Sequence, residues 1–218
     1  MQKNLPRKGK SSRRKYTRVR KRIRDVEAKR INERPPSAND RSEFGHWEMD
    51  CIESGRGKGR ACLLVSVERK SRKTLIYKLR SQRQAQVLKV INRLEKKLGF
   101  KKFKEIFKSI TVDYGSEFLG WRDLEKSNIS KRSKERTQIY YCHPYHAWER
   151  GTNEQINGHL RYFIPKGSAI FTYSTRMILE IEKWLNKVWR LAALRGRYGC
   201  LALIKTAFEL HSGRAFKR

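Results

Sequence analysis

HWEMD, residues 46–50, reads as a strand that carries two acids. Alternation sets His46, Glu48, Asp50 and Ile52 on one face and Trp47, Met49 and Cys51 on the other. The second set suits an apolar core. The acids of the first set then face either water, as on any half-exposed strand, or a site. Which of the two holds depends on the other acids of the chain.

Outward from this strand the pattern is that of a mixed α/β domain. SGRGKGR (54–60) is a Gly-rich turn, ACLLVSV (61–67) a buried central strand, and TLIYKL (74–79) a third strand at hairpin distance. A helix follows. Ser81 is expected to cap it with Gln84 three residues on, Val87, Val90, Ile91, Leu94 and Leu98 form its stripe, and Gly99 ends it. IFKSITVD (106–113) reads as a fourth strand ending in Asp113. A short helix (119–127), a basic polar loop (128–136) and a fifth strand, TQIYYC (137–142), come next. One helix is predicted from about Trp148 to Phe163, stopping before Pro165. Another starts near Ser174, with Met177, Ile178, Ile181, Trp184, Leu185 and Val188 on one face. There is no internal repeat.

The 218 residues carry 53 Lys and Arg against 21 Asp and Glu, a net charge of +32. Such an excess repels itself unless a polyanion is near, which points to nucleic acid. No apolar run approaches the roughly 20 residues of a spanning helix, so the expectation is a soluble, cytoplasmic protein. Residues 1–34 hold 15 Lys and Arg against three acids and few apolar side chains. They cannot build a core and read as a basic linker or DNA-backbone arm. The expected organisation is therefore an arm over 1–36 followed by a core from 37. The four cysteines are scattered and read as small buried hydrophobes. Cys142, His143 and His146 lack a second ligand pair at finger spacing, so no metal is expected there.

Phosphodiester chemistry commonly uses two Mg²⁺ ions roughly 4 Å apart. Mg²⁺ takes oxygen ligands, so carboxylates from several elements must converge. Three acids stand at strand ends or on a helix start: Asp50, Asp113 and Glu154. On the helix, Glu149 and Glu154 are about 140° apart, so only one of them faces a shared site. Ile156, Leu160 and Phe163 make its apolar face, and Glu154, Asn157, Gly158 and Arg161 its polar stripe. Gly158 leaves room beside Glu154 for a substrate backbone, and Arg150 and Arg161 suit phosphates. Each acid alone also fits an ordinary turn or surface position.

FGHWEMD (44–50), ITVDYGSEF (110–118) and YCHPYHAWERGTNEQINGHLRYFIPKG (141–167) closely resemble the catalytic domain of IS30-family insertion-sequence transposases. The resemblance runs from about Ile31 to about Asn186. It implies an RNase H-like, retroviral integrase-type fold: a five-stranded mixed sheet flanked by helices, here with a basic N-terminal extension. It also implies Asp50, Asp113 and Glu154 as a DDE triad holding two Mg²⁺ ions, with Mn²⁺ as substitute, and leaves Glu48 and Glu149 outside it. Met49 stands where the family usually has Gly, and Tyr114 where Asn is common. After Asn186 the chain departs from the family's pattern, so the core is expected over 37–195 and a divergent tail over 196–218. Residues 1–34 resemble the linker that follows the family's helix-turn-helix, so a truncated transposase or one half of a split reading frame is expected.

The activity so implied is metal-dependent cleavage and strand transfer of DNA, with Arg150, Asn157, Arg161 and Lys166 on the DNA. Partners are transposon ends, target DNA and a second copy or more in the synaptic complex, on the nucleoid of a prokaryotic cell. Trp148 and Tyr145 suit either the core or stacking on displaced bases, and the core is the preferred reading. Two rivals stand beside this reading. An inactive remnant would bind DNA by charge alone, and a basic RNA-binding protein would leave the three acids unexplained.

Overall fold

The computed structural model describes residues 27–130, 134–144 and 146–189. Three strands form an antiparallel meander, β1 (His46–Glu53), β2 (Cys62–Glu68) and β3 (Thr74–Leu79). β4 (Ser109–Val112) lies parallel to β1 on its other side, and β5 (Gln138–Tyr141) parallel to β4. The sheet order is β3-β2-β1-β4-β5. This is the expected five-stranded mixed sheet.

Alternation sorts the side chains as read from the sequence. Trp47, Met49, Leu64, Ile110, Val112 and Tyr141 point to one face, where α2 (Gln84–Leu98), α3 (Phe100–Ile106) and α4 (Trp121–Glu125) bury Val87, Ile91, Phe103 and Leu124. Ile52, Leu63, Val65, Val67 and Ile76 point to the other, against Ile156 and Leu160 of α5 (Gly151–Phe163) and Ile178 and Ile181 of α6 (Thr175–Trp184). β2 is buried along its whole length because helices cover both its faces.

Three boundaries moved. Arg83, not Ser81, occupies the N-cap of α2, and no side chain caps it. The run 106–113 keeps only four residues as strand. Gly99, at φ 79°, lets the chain turn straight into α3, whose Phe103 stacks on Phe107 at 4.7 Å. The apolar residues there follow a helical spacing of four, which a strand reading of the same run overlooks. Finally, residues 27–36, assigned to the arm, lie on the body. Ala28 and Ile31 are buried, Lys29 O accepts from Tyr141 N at 2.9 Å, and a four-residue helix, α1 (Pro36–Asn39), follows. The remainder of the arm and the tail over 196–218 lie outside the described residues.

β3 is the free edge of the sheet, and side chains from α6 and from the π-helical turn after it (Leu185–Trp189) cover it. Asn186 Oδ1 accepts from Thr74 N at 2.9 Å and its Nδ2 donates to Thr74 O at 2.8 Å. Glu182 Oε2 accepts from Ile76 N at 2.7 Å. These groups take the positions a sixth strand would use, which closes the edge to a foreign one. No described helix is long and apolar enough to cross a membrane.

On the opposite face a fully buried pair ties α2 to the approach of β5. Arg136 donates to Glu95 Oε2 at 2.8 Å, to Asn92 Oδ1 at 2.6 Å and to Leu124 O at 2.9 Å. Replacing one partner leaves the other charge buried and unpaired. Arg136→Met is expected to lower stability by about 3–5 kcal/mol, read as a shift in the midpoint of denaturant unfolding.

Candidate active site

The parallel register of β1 and β4 decides where the acids meet. Glu48 is paired with Thr111. Two residues further on, on the same face of each strand, come Asp50 and Asp113. Adjacent strands lie roughly 4.8 Å apart, so two carboxylates there repel unless a cation stands between them. Arg150 does so. One of its terminal nitrogens lies 3.1 Å from Asp50 Oδ1, and the other donates to Asp113 Oδ2 at 3.1 Å. The sequence reading has Arg150 on a DNA phosphate; the structure buries it between the carboxylates, where it also donates to Met49 O at 3.2 Å.

The electrostatics follow from that arrangement. Burial raises the pKa of Asp50, opposed by Arg150 and reinforced by Asp113. For Arg150, burial alone would lower the guanidinium, but Asp50 and Asp113 hold it above its usual value. Asp113 is held from the turn as well, since its Oδ1 accepts from Gly115 N at 2.9 Å. A Cβ at Gly115 would stand 2.9 Å from that oxygen and 2.7 Å from Glu117 Oε2, so only glycine makes the turn without displacing a carboxylate.

The acid two residues earlier in β1 has a different task. Glu48 is fully buried, pairs with Arg69, and through Oε2 accepts from Asn153 N at 2.9 Å. Asn153 lies in the first turn of α5, where backbone N–H groups have no partner inside the helix. Two residues of strand advance roughly 6.6 Å and four residues of helix about 6 Å. With Glu48 on Asn153, Asn157 therefore comes level with Asp50, and its Nδ2 donates to Asp50 Oδ2 at 2.8 Å.

Glu154 precedes Asn157 by three residues, about 60° around the helix axis from it. It is exposed and makes no hydrogen bond or ion pair among the described residues. Gly158 opens onto space, with nothing within 4 Å of where a Cβ would be. Arg161 is half-buried and Lys166 exposed. The two bulky neighbours of the aspartates leave the site clear: Met49 is in the core behind the sheet, and Tyr114 stacks on Tyr141 at 4.7 Å. Trp148, assigned to the core from sequence, is 67% exposed, because the 3-10 turn Ala147–Arg150 turns it outward. Tyr145 lies outside the described residues.

The donor set suits a hard divalent cation. Asp50 and Asp113 supply carboxylate oxygens, and Asn157 Oδ1 beside them is buried with no partner among the described residues. Sequence reasoning missed the helix-docking task of Glu48 and the bridging of Arg150. Glu48 carries a signal, as an acid on an inward strand position. Arg150 carries none, since a buried guanidinium looks like any other in a chain with 53 basic residues.

Residues 40–145 match the integrase core domain family. Among curated proteins, the probable transposase for insertion-like sequence element IS1161 of Streptococcus salivarius is 36% identical over 73% of this chain and 42% of its own length. The transposase for insertion sequence element IS4351 of Bacteroides fragilis is 32% identical over 72% and 44%. The transposase for insertion sequence element IS30A of Escherichia coli is 33% identical over 72% and 37%. The matched region thus spans less than half the length of these relatives. Among solved structures, the simian T-cell lymphotropic virus intasome in complex with PP2A regulatory subunit B56 gamma matches at a TM-score of 0.43 and 15% identity, over 64% of this chain and 47% of that one.

Glu48 and Asp50 are expected to respond oppositely to substitution. Glu48→Ala strands Arg69 and the start of α5, and is expected to cost about 3–5 kcal/mol. Asp50 has a raised pKa, so the fold favours its neutral form. That stabilisation is complete below the ordinary carboxylate pKa and is lost as pH rises through the raised value. Asp50→Asn is expected to remove this fall, seen as a flatter profile of unfolding midpoint against pH in chelator-containing buffer.

Proposed function

The chain carries an integrase core domain and is a relative of insertion-sequence transposases of the IS30 type, and from that premise we propose that it cleaves DNA at the end of a mobile element and joins the freed end to target DNA. The observation that carries this reading is the register that sets Asp50 beside Asp113, with the unpartnered oxygen of Asn157 next to them. A net charge of +32 supplies the attraction to a polyanion that such a site needs.

Asp50 and Asp113 would hold two divalent ions, Mg²⁺ by preference and Mn²⁺ as substitute, with Glu154 completing the set from α5. When bound, the ions activate the attacking oxygen and stabilise the leaving one. In the first step a water oxygen bonds to the phosphorus and the 3′-oxygen leaves, taking up a proton. In the second, that 3′-hydroxyl bonds to a target phosphorus and displaces the target's own 3′-oxygen. Arg150 bridges the aspartates and offsets part of their charge until the ions take that task over. Asn157 keeps Asp50 oriented, and Arg161 and Lys166 lie along α5 and just after it, where the DNA backbone would run past Gly158. Joining two ends requires at least two copies of the chain, acting on DNA in the nucleoid.

Nicking of supercoiled plasmid in Mn²⁺ tests the reading. Asp50→Asn, Asp113→Asn and Glu154→Gln are each expected to lower the rate roughly a hundred-fold or more, since each removes part of a stabilisation worth several kcal/mol. Binding should persist and weaken with salt. Binding without nicking by the unaltered chain would overturn the catalytic reading and leave a protein that only binds DNA.

A further inference from the structure

One more group of side chains converges outside that site. His143, His146 and Glu149 each offer one ligand atom, and the three atoms lie within 4.8 Å of one another. All three belong to the link between β5 and α5. The Glu149 carboxylate folds back on His143, accepting from its backbone N at 2.7 Å with Oε2 while Oε1 stands 2.7 Å from Nδ1. His146 sets its ring edgewise to His143, centroids 5.5 Å apart, and to Trp148 at 4.3 Å. Its Nδ1 is buried and has no hydrogen-bond partner among the described residues. A buried ring nitrogen left unmatched is costly and calls for a physical reason.

We propose that His143, His146 and Glu149 bind one divalent transition-metal ion of the Zn²⁺ class. Two imidazoles and a carboxylate form a nitrogen-rich donor set, which suits Zn²⁺ and its neighbours in the transition series rather than Mg²⁺. Bonds of about 2.1 Å in a tetrahedral arrangement put donor atoms roughly 3.4 Å apart. The cluster therefore has to close by little more than 1 Å, which side-chain rotation within one short link supplies. All three residues are part-exposed, so the fourth position opens to water. Cys142, just before, is buried in the core beyond the end of β5 and takes no part. A finger-type spacing is absent because the third ligand is not a cysteine but Glu149, six residues after His143.

The position gives the ion a task. Arg150 follows Glu149 directly, and α5 starts at the next residue. Cross-linking 143, 146 and 149 fixes the turn that delivers the guanidinium to Asp50 and Asp113 and sets the start of the helix that carries Glu154 and Asn157.

The test uses the full chain, stripped with chelator and titrated with Co²⁺, whose visible d–d absorption reports a low-symmetry nitrogen-containing site. A chain with Asp50→Asn and Asp113→Asn silences the acidic site, so this experiment can succeed or fail independently of nicking. One equivalent of Co²⁺ is expected to bind with the acidic site silenced. The same equivalent, displaced by Zn²⁺ and not by Mg²⁺, is expected in the unaltered chain beside any Co²⁺ that Mg²⁺ displaces from the acidic site. Affinity should fall at least ten-fold in His146→Ala and in Glu149→Gln. Zn²⁺ should also raise the melting temperature of the unaltered chain but not of His146→Ala, whose circular dichroism in chelator serves as the control for folding. Absence of one-equivalent binding would overturn the proposal. So would binding that survives His146→Ala yet disappears with the two aspartates.

Discussion

Glu48 sits at no exposure in the middle of a sheet and is held there by Arg69 and by the first turn of α5. A buried carboxylate is tolerable only when its oxygens are matched, so wherever this one is satisfied the helix is docked. Because two strand residues and one helical turn advance almost equally, docking at Asn153 sets everything further along α5. Asn157 meets Asp50, Glu154 stands to one side of that contact, and Ile156 and Leu160 face the apolar half of β1 and β2. The same residue is paired with Thr111 across the parallel ladder, and that register puts Asp113 next to Asp50. Two coordinates of the site, helix on sheet and strand beside strand, thus share one origin.

The placement creates an electrostatic debt that the fold meets only in part. Two carboxylates on neighbouring strands, Asp50 within β1 and Asp113 just past β4, carry two negative charges, and Arg150 brings one positive charge. Burial, reinforced by Asp113, raises the pKa of Asp50 against the pull of Arg150. A divalent ion matches the pair better than a guanidinium does, and Asn157 Oδ1 stands by without a partner. Arg150 is therefore best understood as what keeps the acids together before an ion arrives. Its position in turn depends on the link 143–149, where His143 and Glu149 already close on each other.

Elsewhere charge is used to fasten the architecture. Arg136 and Glu95 fasten α2 to the approach of β5. Glu182 and Asn186 close the β3 edge with hydrogen bonds to its backbone. None of these shows in a hydrophobic pattern, because each is a polar residue at a position whose burial comes from a distant segment. The opposite error affected Trp148. A large aromatic at the start of a helical pattern suits the core, but the 3-10 turn before α5 rotates it into solvent.

The sequence by itself determined the strands and their inward faces, because alternation and punctuation are local. β1 and β3 have the bounds that HWEMDCIE and TLIYKL suggest, and Met49 packs behind the sheet as its parity requires. It also singled out Asp50 on the first strand and Asp113 at the end of the fourth. Tertiary structure alone decided that Glu48 docks a helix while Asp50, two residues on, faces a site, since the difference lies in what arrives from residues 69, 150, 153 and 157. It alone turned Arg150 from a surface cation into a bridge, and brought His143, His146 and Glu149 within reach of one another. Those outcomes depend on strand register and helix docking, which join segments up to about a hundred residues apart, and no local pattern carries that information.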